Sequence, residues 1–328
     1  MMNNENVLTR MGIDRKKVLS FFKENGFIVS FILLCAIALF FNSNFLAPNS
    51  ILSLLNQTSI RGCVALGLTF AFTCGMFDMS VGSTAALLAG VSVLIYNQTQ
   101  SVLLMILFDI VGGALLGSVN GILVGELDFP PFIATLSTQV AYRSIITLWG
   151  ASGPFAIDQE FMPQFRKVAT GTILGIPHLV LLFIALAAVL WFVLNRTKFG
   201  RYVTAVGSNA TAARLSGINP RRIKILTYML TGACAGLTAF CAVARLTSIT
   251  AANLGEKWSF DGVAAVAIGG TTMSGGHGKV VGTFFGIVSY QMIDSILVYA
   301  GINPYLNGLV QGIIIVIAVL LQGRRTRT

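Results

Sequence analysis

The sequence predicts an all-α, polytopic membrane protein of about ten spans, and three observations carry that prediction. First, 55% of the 328 residues are hydrophobic and only 10% are charged, against about 25% charged in soluble domains. Second, uncharged apolar runs recur that can cross hydrocarbon, which takes about 20 residues. Residues 225–244 form one, and 295–323 form another with room for a turn. Third, the basic residues are grouped. Arg10, Arg15, Lys16, Lys17 and Lys23 lie at the start, seven of the 22 Lys and Arg lie in 196–224, and Arg324, Arg325 and Arg327 lie at the end. The positive-inside rule puts all three groups in the cytoplasm. Both termini then share a side, and the number of spans is even. The net charge of +10 is thus a signal of membrane orientation rather than of nucleic-acid binding.

The spans follow in order. A basic cytoplasmic tail, 1–24, precedes a single transmembrane domain, 25–323, and a short tail, 324–328, follows it. No small-residue cleavage pattern follows the first apolar run. Span one is about 27–46. Pro48, Asn49 and Ser50 mark a turn or helix start, and span two is about 53–74. The stretch 75–82, GMFDMSVG, is too polar and glycine-rich for a plain helix. Spans three to five are about 83–96, 102–125 and 132–149. Residues 150–176 form the longest polar stretch on the outer side. Span six, about 178–195, leads to the cytoplasmic loop 196–224, and span seven is about 225–244. An outer loop with Arg245, Glu256 and Lys257 follows. Span eight, about 259–272, is short and interrupted near 269–278. Spans nine and ten are about 280–298 and 304–322. Spans two, three, eight and nine are candidates for broken or re-entrant segments.

Glycines recur every four residues at 113, 117, 121 and 125 and at 278, 282 and 286, and Gly232 pairs with Gly236. That spacing lines one helix face and lets backbones approach, which is how helices pack where lipid gives no hydrophobic drive. Charges inside or beside spans are Arg61, Asp78, Asp109, Arg143, Asp261 and Asp294. They are costly in hydrocarbon and so face protein or water. Interhelical pairing and a polar pathway are both open readings. Asp78, beside Ser80 in the glycine-flanked break, is the best pathway candidate, with Asn120, Thr135 and Gln139 as neutral polar residues on flanking spans. The segments 78–82 and 272–276 echo each other, in the manner of transporters built from two related halves or by coincidence among small residues.

Several chemistries are not supported. Five cysteines lie dispersed in apolar context, without zinc spacing or a disulfide framework. No nucleophile–base pair or metal cluster is evident, so the chain is expected to hold no cofactor and to catalyse nothing. The stretch 273–279, MSGGHGK, is not a phosphate loop, because Met273 stands where the first glycine belongs and Val280 follows the lysine.

The loop 196–224, RTKFGRYVTAVGSNATAARLSGINPRRIK, contains a short helix signal. Ser208 and Asn209 are N-cap types, 210–215 favour helix, Gly217 suits a left-handed cap, and Pro220 prevents continuation. So short a helix is marginal alone. It is either a connector on the membrane surface or a docking helix. Together with GMFDMSVGSTAALLAG at 75–90 and VAAVAIGGTTMSGGHGKVVGTFFG at 263–286, this loop resembles the membrane subunits of binding-protein-dependent ABC importers for ribose, xylose and arabinose. The resemblance spans roughly 50–322. It implies a type II-like ABC importer permease in the bacterial inner membrane.

That family likeness further implies the partners. A separate cytoplasmic ATPase would hold ATP and Mg and grip the loop through Gly207, Ser208, Asn209, Ala212, Ala213, Arg214, Leu215 and Gly217. An extracytoplasmic solute-binding protein, a second permease copy or sister subunit, a sugar and membrane lipid complete the set, with no nucleic acid. The runner-up is a related importer for branched-chain amino acids or a furanone signal. A self-sufficient secondary transporter or channel is the alternative of a different class.

Overall fold

The computed structural model describes residues 26–250 and 252–301, and beyond them only 303, 306, 308–310, 312 and 313. The two expected tails and most of the tenth span fall outside the described residues. The rest is helical: α1 (Gly26–Phe41), α2 (Pro48–Thr73), α3 (Val81–Thr99), α4 (Val102–Gly125), α5 (Pro131–Trp149), α6 (Met162–Ala169), α7 (His178–Arg196), α8 (Lys198–Ser208), α9 (Ala210–Leu215), α10 (Pro220–Leu246), α11 (Trp258–Ile268) and α12 (Val280–Tyr299). Six of these, α2, α3, α4, α7, α10 and α12, are long and apolar enough to cross a membrane, and α1 and α11 are apolar but shorter. The count of ten spans reaches past the described residues.

Local chemistry sets the helix starts. Pro48, Pro131 and Pro220 each sit in a first turn, where the missing N–H costs nothing and the fixed φ suits the helix. The Ser101 hydroxyl accepts from Leu104 N at 3.3 Å to open α4. The Asn219 amide oxygen accepts from the N–H groups of Arg221 and Arg222 to open α10. Pro220 therefore starts the next long helix, two residues beyond the turn at Gly217 and Ile218 that closes the short one.

α2 runs through the middle of the bundle, and every residue from Gly62 to Thr73 is buried. The glycines of α4 pack as their spacing predicts. A Cβ on Gly113 would strike the Gly232 carbonyl, one on Gly117 the Tyr228 carbonyl, and one on Gly121 the backbone of Ile225. The two backbones touch with no side chain between them.

Contacts define two ends of the bundle. At one end the last residue of α2, Thr73, accepts from Gly276 N at 2.9 Å and lies against Gly207 of α8. The last turn of α4 meets the first turn of α10 there as well. At the other end, 150–177 forms a cap. β1 (Phe155–Ala156) pairs antiparallel with β4 (Ser248–Ile249), and β2 (Thr172–Ile173) pairs with β3 (Ile176–Pro177). Phe165 of α6 packs edge-on against Tyr96 of α3, centroids 4.7 Å apart. Thus 150–176 and 196–224 occupy opposite ends.

Two expectations are corrected. Span eight is not interrupted inside the bundle: 269–279 joins α11 to α12 at the α8 end, and the irregular backbone comes before the helix, in the expected outer loop 247–257, whose β4 pairs with the cap while its far end reaches Gly82. There the backbone of Gly255 (φ +73°) abuts that of Gly82, and the Ser259 hydroxyl donates to Met79 O at 2.7 Å. Arg143 of α5 donates to the carbonyl of Leu254 at 2.6 Å, pinning the irregular backbone. Consequently the first turn of α3 meets the start of α11 head to head, and the 75–80 break touches both 247–257 and the 274–276 turn. The second correction is α8. The loop 196–224 holds two helices, and Ser208 ends the first instead of capping the second.

Candidate coupling surface and polar centres

α8 and α9 form an angled pair clamped under the bundle. The Thr197 hydroxyl accepts from Gly200 N to start α8, and Val203 and Val206 turn inward in a cluster with Cys74, Met76, Val124, Ile223 and Tyr228. Gly207 presses on the Thr73 carbonyl so closely that a Cβ has no room. Gly275 and Gly75 close the same contact from the other side. The end of α8 therefore touches the first break and the α11–α12 connection together.

Asn209 caps α9, its side-chain oxygen accepting from Ala212 N at 2.9 Å. Ala213 packs inward, 5% exposed, while Ala212, Arg214 and Leu215 face outward, Leu215 at 86%. Gly217, at φ +83°, and the Ile218 N–H bond to Ala213 O at 3.0 Å close the helix. Beside it opens a cavity of about 580 Å³ lined by Asp128, Arg214, Gly217, Asn219, Arg221 and Lys224. An exposed leucine on a short polar helix is not stabilised by its own chain, since apolar surface gains by leaving water.

The polar residues of the first break form one chain of hydrogen bonds. Ser80 donates to Asp78 Oδ1 through its backbone N–H at 2.9 Å and its hydroxyl at 2.6 Å. The Asn120 amide donates to Ser80 Oγ at 2.8 Å, and the Thr138 hydroxyl donates to Asn120 Oδ1 at 2.7 Å. All four residues are buried. Thr135 is buried nearby, its hydroxyl on Pro131 O, and the Gln139 side-chain oxygen has no hydrogen-bond partner among the described residues. Thr138 was missed by the sequence reading. It lies three residues past Thr135 on the same helix face, so helical spacing was the available signal. Tyr228 donates to Phe77 O at 2.8 Å and fixes the break against α10.

A second polar centre joins α2, α11 and α12. Arg61 lies 3.4 Å from Asp261 and 2.8 Å from Asp294, and Tyr290 donates to the other Asp261 oxygen at 2.7 Å. The pairing reading of these charges is the one seen. Asp109 differs: it is fully buried on α4, and neither carboxylate oxygen has a hydrogen-bond partner among the described residues.

Helices broken at glycine-rich polar segments, meeting inside an apolar bundle and touching an external helix pair, define a membrane transport permease. The chain belongs to the family described as branched-chain amino acid transport system / permease component, whose model matches residues 50–319. This is a family of ABC importer permeases, which are transport subunits, and its member here is a multi-pass inner-membrane protein. The chain is 35% identical over 306 residues to the ribose import permease of Bacillus subtilis, covering 93% of this chain and 94% of that one. It is 31% identical over 321 residues to the ribose import permease of Haemophilus influenzae, covering 98% and 97%. The galactose/methyl galactoside import permease of Escherichia coli is 31% identical over 328 residues, covering 94% and 96%. No solved structure matches the chain.

Proposed function

We propose that this chain is the membrane-spanning subunit of an importer that moves a monosaccharide or related polyol into a bacterial cell, driven by a separate ATPase. The observation that carries the coupling half of this reading is the outward Leu215 on a helix pair whose Gly207 bears on α2 and the 274–276 loop. The relatives named for ribose and galactose import support the solute class. The ATPase would hold ATP and Mg and contact Ala212, Arg214 and Leu215, while Gly207, Ser208, Asn209, Ala213 and Gly217 seat the helix. Asp78, Ser80, Asn120, Thr135 and Gln139 would line the pathway, and switching access would open the hydrogen-bonded chain that joins the first three. Residues 1–24, 196–224 and 324–328 would lie in the cytoplasm, with 150–176 receiving the binding protein outside. A second copy or sister permease would complete the single transmembrane domain, 25–323, as a dimer in lipid.

A branched-chain amino acid is the second reading of the solute, favoured by the description of the family model. The test is a complex purified with its ATPase and binding protein. Leu215→Asp removes an apolar anchor from the docking face, an effect of about 2 kcal/mol at an interface centre. The ATPase should co-purify poorly, or its hydrolysis should stop responding to loaded binding protein. Full assembly with a normal response means that α9 is only a connector. Stimulation by leucine-loaded but not sugar-loaded binding protein selects the second reading.

A further inference from the structure

Asn49, Ser53, Gln57 and Arg61 lie four residues apart on α2, which sets them along one flank of the helix. In a spanning helix such a row must face protein or water, because hydrocarbon offers polar groups no partner. Here it faces a cavity of about 260 Å³ between the first turns of α2 and the last turns of α12, lined by Asn49, Ser53, Gln57, Ser295 and the rings of Phe45 and Tyr299. These rings sit edge to face, centroids 6.5 Å apart. The cavity lies away from α8 and α9, because α2 begins here and ends against Gly207. Among the described residues the Gln57 amide makes one long contact, 3.5 Å to Ser53 Oγ. Among the described residues its donors are thus not taken up by good protein bonds. One turn further along α2, Arg61 is paired to Asp294 and Asp261, with about 30% of its side chain exposed.

We propose that this groove is a subsite that receives one neutral, hydroxyl-rich solute as it leaves the binding protein. The inference rests on the import function above and adds a place and residues for the first contact. Hydroxyls that both donate and accept are matched by the amides of Asn49 and Gln57 and the hydroxyls of Ser53 and Ser295. The C–H face of a sugar ring suits Tyr299, which presents apolar surface and is backed edge to face by the buried Phe45. Arg61 is paired with Asp294 and Asp261, so its guanidinium is already held by carboxylates rather than free to bind an anionic solute.

The experiment uses the complete importer in liposomes, with D-ribose and D-galactose as probes on the matching binding protein. Gln57→Leu should lower sugar uptake at sub-saturating loaded binding protein about tenfold, the worth of one lost hydrogen bond. ATP hydrolysis stimulated by the same binding protein should stay within about twofold, the scatter of a surface substitution. Where Gln57→Leu does not assemble, Ser53→Cys in a chain whose native cysteines are Ala decides. Sugar should slow alkylation at position 53 by an impermeant reagent added at the cap end. Uptake by Gln57→Leu within about twofold of the parent, or alkylation indifferent to sugar, overturns the subsite while leaving the import reading intact. A parent complex with no ATP-dependent sugar uptake overturns the import reading, and the subsite with it.

Discussion

Single residues decide how close the helices come and which buried groups are satisfied. Gly117 is one such position. A side chain there must push α4 off the Tyr228 carbonyl. Gly117→Val should lower stability by at least about 1–3 kcal/mol, the usual cost of overpacking, read as a lower melting temperature in detergent. Val119→Leu, on the exposed side of the same helix, should leave it unchanged. Tyr290→Phe tests the charged centre. It removes a donor from a buried carboxylate already paired with Arg61, and hydrogen bonds to charged groups contribute about 1.5–3 kcal/mol. The variant should insert normally and melt earlier, whereas an unchanged melting temperature would mean that water replaces the phenol. The glycine seam was legible from spacing alone, because only helical periodicity was needed. Thr138 shares the helical spacing of Thr135 but does not stand out by type, since a threonine in a spanning helix more often bonds its own backbone.

At the scale of elements, most spans could be read from hydropathy and from proline or asparagine starts. The exceptions were irregular backbone. Residues 247–257 carry Glu256 and Lys257, and charge suggested solvent. Glu256 and Lys257 are exposed, but the inward reach of this segment depends on Arg143 of a distant helix and on Gly82 meeting Gly255, both long-range facts that no local pattern reports. The helix α9 was anticipated, but not which of its faces points inward. Ala213 packs under the bundle and Ala212 points out. Ala213→Trp should therefore dislodge α9 and lower the stability of the permease itself by about 1–3 kcal/mol. Ala212→Trp should leave the isolated permease as stable as the parent while weakening ATPase association. Equal effects of the two substitutions on permease stability would contradict this placement.

Across the whole molecule, two irregular segments reach inward from opposite ends of the bundle, 74–80 between α2 and α3 and 247–257 between α10 and α11, and meet at Gly82 and Gly255. Such segments supply polar backbone inside a membrane protein only where it is buried in protein or lines a cavity. The end of α8 bears on the first break through Gly207, which gives a contiguous physical route from an external partner to the centre. Coupling along such a route needs a partner that supplies the free energy. The family and the overall bundle were readable in the sequence, whereas the head-to-head meeting of the breaks was not, because it joins segments far apart in the chain. The central claim is that transport by this permease is driven from outside the chain. Its most direct test is uptake of labelled D-ribose or D-galactose into liposomes holding the permease, with ATP inside and loaded binding protein outside, with and without the ATPase subunit. Uptake should require the ATPase, its ATP and the binding protein together, and accumulation at an undiminished rate without the ATPase would contradict the account.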